Sequence, residues 1–164
     1  MRILKIRLRN VKSYGDDGVE IEFADGVNFL SGENGAGKST LIEAIGYALY
    51  NVSPCRIEDL VRRGAKSGSI VIWIDDEGER FRVERKFGSS SSWIVYDAGD
   101  VALHERQDDV LRFFCERFRV ADPEQLKNVF EHIVGVAQGT YTAVFKMSPS
   151  NRKTIFDGIT NVRF

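Results

Sequence analysis

The chain has 164 residues, 43% of them hydrophobic and 29% charged, with a formal net charge of −1. That balance suits one soluble globular domain with its own core, and overall charge gives no argument for nucleic acid. No apolar run approaches the ~20 residues of a membrane span, and the short basic start Met1–Lys5 is no secretory signal, so a cytoplasmic address is expected.

Ile3–Leu8 alternates as a first strand with Leu4, Ile6 and Leu8 on one face. Arg9–Gly15 is a connection, and Gly18–Phe23 is a second strand with Val19, Ile21 and Phe23 inward. Gly26–Ser31 reads as a short buried strand. It leads into Gly32-Glu33-Asn34-Gly35-Ala36-Gly37-Lys38-Ser39-Thr40, a complete Gly-x₄-Gly-Lys-Ser phosphate-binding loop. Leu41–Tyr50 leaves the loop as a mostly apolar helix, and strand, loop, helix is the arrangement the motif requires. The glycines let successive N–H groups turn inward on phosphate oxygens. Lys38 reaches the β- and γ-phosphates, the Ser39 hydroxyl can sit on Mg²⁺, and the helix dipole aims at the same anion.

Asn51–Gly68 is irregular, with Pro54 and several basic residues. Ser69–Asp75, Arg80–Phe87 and Ser92–Tyr96 form an antiparallel meander, turned by Asp76–Glu79 and Gly88–Ser91. Val110–Phe118 and Pro123–Val134 read as helices, the second capped by Asp122 with Pro123 at its first position. Gly135–Ser148 is loop-like, and a final helix starts at Ser150. Cys55 and Cys115 are far apart without metal-ligand spacing and read as free thiols; His104 and His132 are isolated.

A hydrolytic site also needs an acidic residue at the end of an apolar strand. Ile70-Val71-Ile72-Trp73-Ile74-Asp75-Asp76-Glu77 imitates such a Walker B strand. Gly78 and the alternating return Arg80–Arg85 follow at once, so the segment reads instead as a hairpin whose acidic turn faces solvent. Leu30-Ser31-Gly32 looks like part of an ABC signature but is already committed to the phosphate loop. The chain therefore carries half a catalytic site.

Ile3–Leu8 followed by Arg9-Asn10-Val11-Lys12-Ser13-Tyr14, together with the Gly-x-Asn-Gly-x-Gly-Lys-Ser form of the loop, resembles the opening of SMC-like ATPases. Gly64-Ala65-Lys66 and Val136-Ala137-Gln138-Gly139-Thr140-Tyr141, the latter similar to a Q-loop, resemble the double-strand-break-repair branch of Rad-fifty/SbcC type. Pro149–Phe156 is similar to the helix where that branch's coiled coil begins. The resemblance spans essentially the whole chain. It implies an α/β fold: a P-loop NTPase, ABC-type ATPase lobe with an antiparallel β-meander beside a mixed sheet around the phosphate-loop helix, plus the start of a helical subdomain. Residues 1–164 are then one N-terminal lobe, with the strands, loop and helix in 1–50, the basic segment and meander in 51–104, and helices, Q-loop and coiled-coil start in 105–164.

By resemblance, ATP and Mg²⁺ are the cofactors. Gly32, Asn34, Gly35, Ala36, Gly37, Lys38, Ser39 and Thr40 bind phosphates, and Ser39 and Gln138 complete the Mg²⁺ shell. Lys38 and Gln138 are the catalytic candidates. Lys12 and Ser13 lie where the family places groups near the nucleotide, and Arg62 and Arg63 could flank it; a solvated loop lysine and a surface basic pair are the competing readings. The implied partners are a C-terminal ATPase lobe, a second head joined through ATP, a nuclease of Mre-eleven/SbcD type, and DNA held by its backbone, placing the protein at the nucleoid. Lys5, Arg7 and Arg9 on one strand face, with Arg62, Arg63 and Lys66, are the DNA candidates, against a merely solvated basic edge. A chromosome-organising SMC or RecF-like lobe and a self-contained P-loop kinase or GTPase are the alternatives; the last needs a parallel Walker B strand and a base-specificity motif that the sequence lacks.

Overall fold

The computed structural model describes residues 1–135, 147–150 and 152–153. Its element order is β1 (Arg2–Arg9), β2 (Val19–Glu22), α1 (Lys38–Tyr50), α2 (Ile57–Leu60), β3 (Ser67–Asp76), β4 (Glu79–Gly88), β5 (Ser92–Asp97), β6 (Ala102–His104), α3 (Gln107–Phe118) and α4 (Pro123–Val129). A π-helical turn, Phe130–Val134, continues α4. The strands form one six-stranded sheet in the order β2-β1-β3-β4-β5-β6. Every pairing among the described residues is antiparallel, so the meander and the opening strands merge into a single layer.

Period-two alternation decides which face of that sheet is dry. Ile6 and Leu8 from β1, Ile70, Ile72 and Ile74 from β3, Phe81, Val83 and Phe87 from β4, and Trp93 and Val95 from β5 are buried. Helices α1 and α3 cover this face with Leu41, Ala44, Ala48 and Leu49, and with Val110 and Phe114. In β1 the pairing register to β3 shifts between Ile3 and Lys5, so Ile3, and not Leu4 as the alternation suggests, packs on the core. A bulge of this kind moves one side chain to the other face, which pattern alone does not reveal.

Three further expectations change. The stretch after Asn51 contains the short α2, a fourth strand β6 extends the meander, and the helix predicted as Pro123–Val134 switches to π geometry at Phe130. Asp122 caps α4 as expected, accepting from the Gln125 amide at 2.9 Å. Pro149, Ser150, Arg152 and Lys153 are helical, in keeping with a helix near Ser150.

The largest departure lies just before the phosphate loop. Gly26–Ser31 is not a strand, and its apolar side chains are open: Val27 is 88% and Phe29 96% exposed. The segment has the composition of a buried strand, but no neighbouring strand among the described residues pairs with it. It is also where a parallel partner would have to join to make the sheet around α1 mixed. Cys55 is half-buried and Cys115 buried, both as free thiols pushed above the ordinary thiol range by burial.

Candidate functional site

The phosphate loop wraps onto the N-terminus of α1 through glycines in the left-handed region: Gly35 has φ 84° and Gly37 φ 93°. Gly37 is the N-cap of α1, and no side chain caps the helix. The amides of Lys38, Ser39 and Thr40 have no backbone partner among the described residues, so three donors at the positive helix end remain unspent. Lys38 Nζ folds back on the loop, donating to the carbonyls of Gly32 and Glu33 at 2.7 Å each. That cradle keeps a cation at the centre of the loop. Ser39 is exposed one residue on, and its position suits a hydroxyl ligand to Mg²⁺. Bare amides, a centred cation and one hydroxyl make a donor set that fits a nucleotide triphosphate with its metal.

The loop is backed by the turn that follows β1. Asn10 and Lys12 both adopt positive φ, 53° and 47°, which folds Val11–Tyr14 tightly enough for the Tyr14 amide to reach the Val11 carbonyl at 2.8 Å. Tyr14 Oη donates to the Gly37 carbonyl at 3.1 Å, and a Cβ built on Gly37 would lie 2.5 Å from Ser13 Oγ. Ser13 thus lies against the loop at Gly37. Lys12 Nζ is paired with Glu43 of α1 at 2.6 Å. Arg62 Nη1 donates to the Ser13 carbonyl at 2.6 Å, which brings α2's exit beside the same turn. Gln138 lies outside the described residues.

Arg62, Arg63 and Lys66 line a cleft of about 650 Å³ together with Arg9 and Lys86. Arg9 is paired to Asp16 at 2.9 Å and Lys86 to Glu84 at 2.9 Å, leaving Arg62, Arg63 and Lys66 as its cations without an ion pair among the described residues. The strand face chosen from sequence is largely neutralised. Lys5 pairs with Glu20 at 2.9 Å and also lies over the Trp73 ring, and Arg7 approaches the same Glu20 at 3.6 Å. These acids come from β2 and its flanking turn, which a reading of β1 alone does not bring opposite.

Asp75 and Asp76, the Walker B imitation, are committed to structure. Asp75 accepts from the Gly78 amide at 3.0 Å and pairs with Arg80, and Asp76 pairs with Arg117 of α3 at 2.7 Å. These contacts hold both carboxyls below the usual range, with the Gly78 amide the largest cause for Asp75 and the Arg117 hydrogen bond for Asp76. They sit at the tip of the β3–β4 hairpin, as the hairpin reading requires.

A structural contact that the sequence pattern does not reveal lies at the far end of α1. Arg85 is buried and has no acidic partner among the described residues. Its guanidinium lies 3.9 Å from the Tyr47 ring centre and 4.1 Å from that of Trp93, and it donates to the Tyr47 carbonyl at 2.9 Å and to Asn51 Oδ1 at 2.7 Å. Trp93 Nε1 donates to the Ala48 carbonyl at 2.9 Å. The signal available in the sequence was an Arg at an inward-facing position of β4, between Val83 and Phe87.

A family model described as "AAA domain" matches residues 5–157. The chain is 32% identical over 166 residues to the "DNA double-strand break repair Rad50 ATPase" of Thermoplasma volcanium, covering 99% of this chain and 18% of that protein. The chain thus spans about a fifth of the length of the curated relatives it matches, 20% in the Nanoarchaeum equitans protein of the same name. Among solved structures, one from work on "ATP-driven dimerization and DNA stimulated activation of SMC ATPases" superposes with a TM-score of 0.70 at 26% identity, covering 97% of this chain and 99% of that one. An Smc head bound to the C-winged helix domain of ScpA superposes with a TM-score of 0.76 at 25% identity, covering 99% of this chain and 52% of that one.

Proposed function

The chain belongs to the AAA-domain family, as an N-terminal ATPase lobe of the SMC-like, Rad50 type, and from that membership we propose that it is the ATP-binding half of a split ATPase acting in DNA double-strand-break repair. One observation carries the reading of a half-site: a phosphate loop with three bare amides is entered by an apolar segment whose Val27 and Phe29 stand open. Apolar side chains at 88% and 96% exposure beside a ligand loop mark a surface that another polypeptide covers. A second lobe that lays a strand along Gly26–Ser31 buries these side chains and supplies the Walker B acid and signature motif.

On this chain, Lys38 and the amides of Lys38–Thr40 bind and orient the β- and γ-phosphates. Mg²⁺, when bound, neutralises phosphate charge, with Ser39 and Gln138 as its ligands here. Closure of two such heads over ATP and their release on hydrolysis is a population switch driven by contacts to the γ-phosphate. Control of DNA processing with a nuclease partner follows from that cycle. Arg62, Arg63 and Lys66 are the residues we assign to sequence-independent backbone contact with DNA, because they have no ion pair among the described residues whereas Lys5, Arg7 and Arg9 do.

The test is turnover. The isolated chain should bind Mg-ATP weakly, lose that binding on Lys38→Ala, and hydrolyse ATP negligibly until a C-terminal lobe carrying Walker B and signature motifs is added. Robust hydrolysis by the isolated chain, abolished by Asp75→Asn, would refute the proposal.

A further inference from the structure

We propose that Tyr14 is a positioning residue of the phosphate loop, its hydroxyl holding the Gly37–Lys38 peptide so that the Lys38 amide faces the phosphates. The proposal rests on the reading of Gly32–Thr40 as the ATP-binding loop. In a planar trans peptide the carbonyl and the following N–H point in opposite directions, so whatever fixes the Gly37 oxygen aims the Lys38 amide. Two donors converge on that oxygen: the Leu41 amide at 3.2 Å, as the first bond of α1, and Tyr14 Oη at 3.1 Å. A carbonyl has two lone pairs and accepts both.

The need for an outside donor follows from what the loop must leave free. An ordinary helix start is secured by a capping side chain that accepts from the first amides. α1 has no such cap, and one would consume the donors that phosphate oxygens require. Tyr14 secures the same turn through a carbonyl instead, at no cost in amides.

The hydroxyl is itself well anchored. The Tyr14 ring packs on the core, and burial raises its phenol above the ordinary range, which keeps it a protonated donor across neutral pH. The turn carrying it is tied down at both ends: the Lys12 amide bonds the Leu60 carbonyl at 2.9 Å, and the Arg62 amide bonds the Asn10 carbonyl at 2.9 Å. Contact with the loop is close enough that a Cβ on Gly37 would also lie 3.1 Å from the Tyr14 ring. The turn after β1 therefore acts as a fixed backstop, and Tyr14 is the atom-level link between it and the loop.

Tyr14→Phe in the full chain keeps the ring and deletes only the donor. Hydrogen exchange at Leu41–Glu43 should accelerate about 3- to 10-fold, the range of one net hydrogen bond, while exchange in β3–β5 is unchanged. Binding of a fluorescent ATP analogue should weaken by a similar factor. A merely structural role would instead speed exchange across the sheet, and that result, or unchanged exchange at Leu41–Glu43, would overturn the proposal. If the unmodified chain fails to bind the analogue at all, the ATP reading of the loop falls, and the exchange measurement alone still decides whether Tyr14 positions the Gly37 peptide.

Discussion

Replacing Arg85 with Met tests how the phosphate-loop helix is secured. At its C-terminal end the amides of Asn51 and Val52 both turn to the Gly46 carbonyl, Asn51 in the left-handed conformation at φ 56°. The Tyr47 and Ala48 carbonyls are thereby left without the amides four residues on, and side chains from the sheet fill both: Arg85 donates to Tyr47 and Trp93 to Ala48. Arg85→Met keeps the apolar stem and the volume but strands the Tyr47 carbonyl in a buried setting, at about 1–3 kcal/mol. It also removes a cation held between two rings, worth about 0.5–1 kcal/mol for each. Relief from burying a lone guanidinium offsets part of this, leaving a loss of about 2–4 kcal/mol. For a chain of this size that is a fall in melting temperature of roughly 4–16 °C, read by thermal denaturation followed by circular dichroism. Nucleotide affinity well below the melt should not change, since Tyr47 lies about 14 Å along α1 from Lys38. An Arg85→Met chain melting within 2 °C of the parent would show that water satisfies the helix end and that the two sheet donors are incidental.

Other expectations are as direct. Val27→Ser with Phe29→Ser should leave the melting of the isolated chain within about 0.5 kcal/mol, because neither side chain is buried, yet prevent co-purification with a C-terminal lobe. Asp76 has a carboxyl depressed by Arg117, so its stabilisation is complete above the ordinary carboxylate range near pH 4 and is lost as pH falls through the folded value. Acid titration of the melting temperature should show that loss, and Asp76→Asn should flatten it. Gly46→Ala, a change that favours an exposed helix by about 1 kcal/mol, should here destabilise by about 1–3 kcal/mol in urea denaturation, because the new methyl overlaps the Phe130 ring. DNA binding should lose about 0.9 from its log–log salt slope for each phosphate contact removed by reversal of Arg62, Arg63 or Lys66, and little from reversal of Lys5.

Much of this architecture was legible because local rules and tertiary structure agree. The Gly-Lys-Ser loop, the helix after it, the meander and the Asp122 cap each rest on chemistry contained within a few residues. The acidic hairpin tip could be told from a Walker B strand for the same reason, since Gly78 and the returning strand are next to it in sequence. What could not be read was pairing across long separations. Nothing local says that Glu20 will neutralise Lys5, that Glu43 will take Lys12, or that Arg85 will meet the end of α1. The bulge between Ile3 and Lys5 escapes for a related reason: it is a property of two strands together, while alternation describes only one.

Gly26–Ser31 is the instructive exception, because there the local signal is sound and the chain still does not use it. Val27, Phe29 and Leu30 have the side chains of an interior strand, yet they lie exposed at the entrance to the loop. A strand of that composition is stable only between neighbours, which supply both hydrogen bonds and burial. Gly26 and Asn28 of the same segment line a further cleft with Met1, Ile45 and Val134. A lone domain that carried such a surface would risk edge-to-edge association. On the proposed split-site reading the opposite holds, since such a surface stays open until the second lobe docks. The mismatch between pattern and structure thus falls at the entrance to the phosphate loop, the face on which we propose that a second lobe docks.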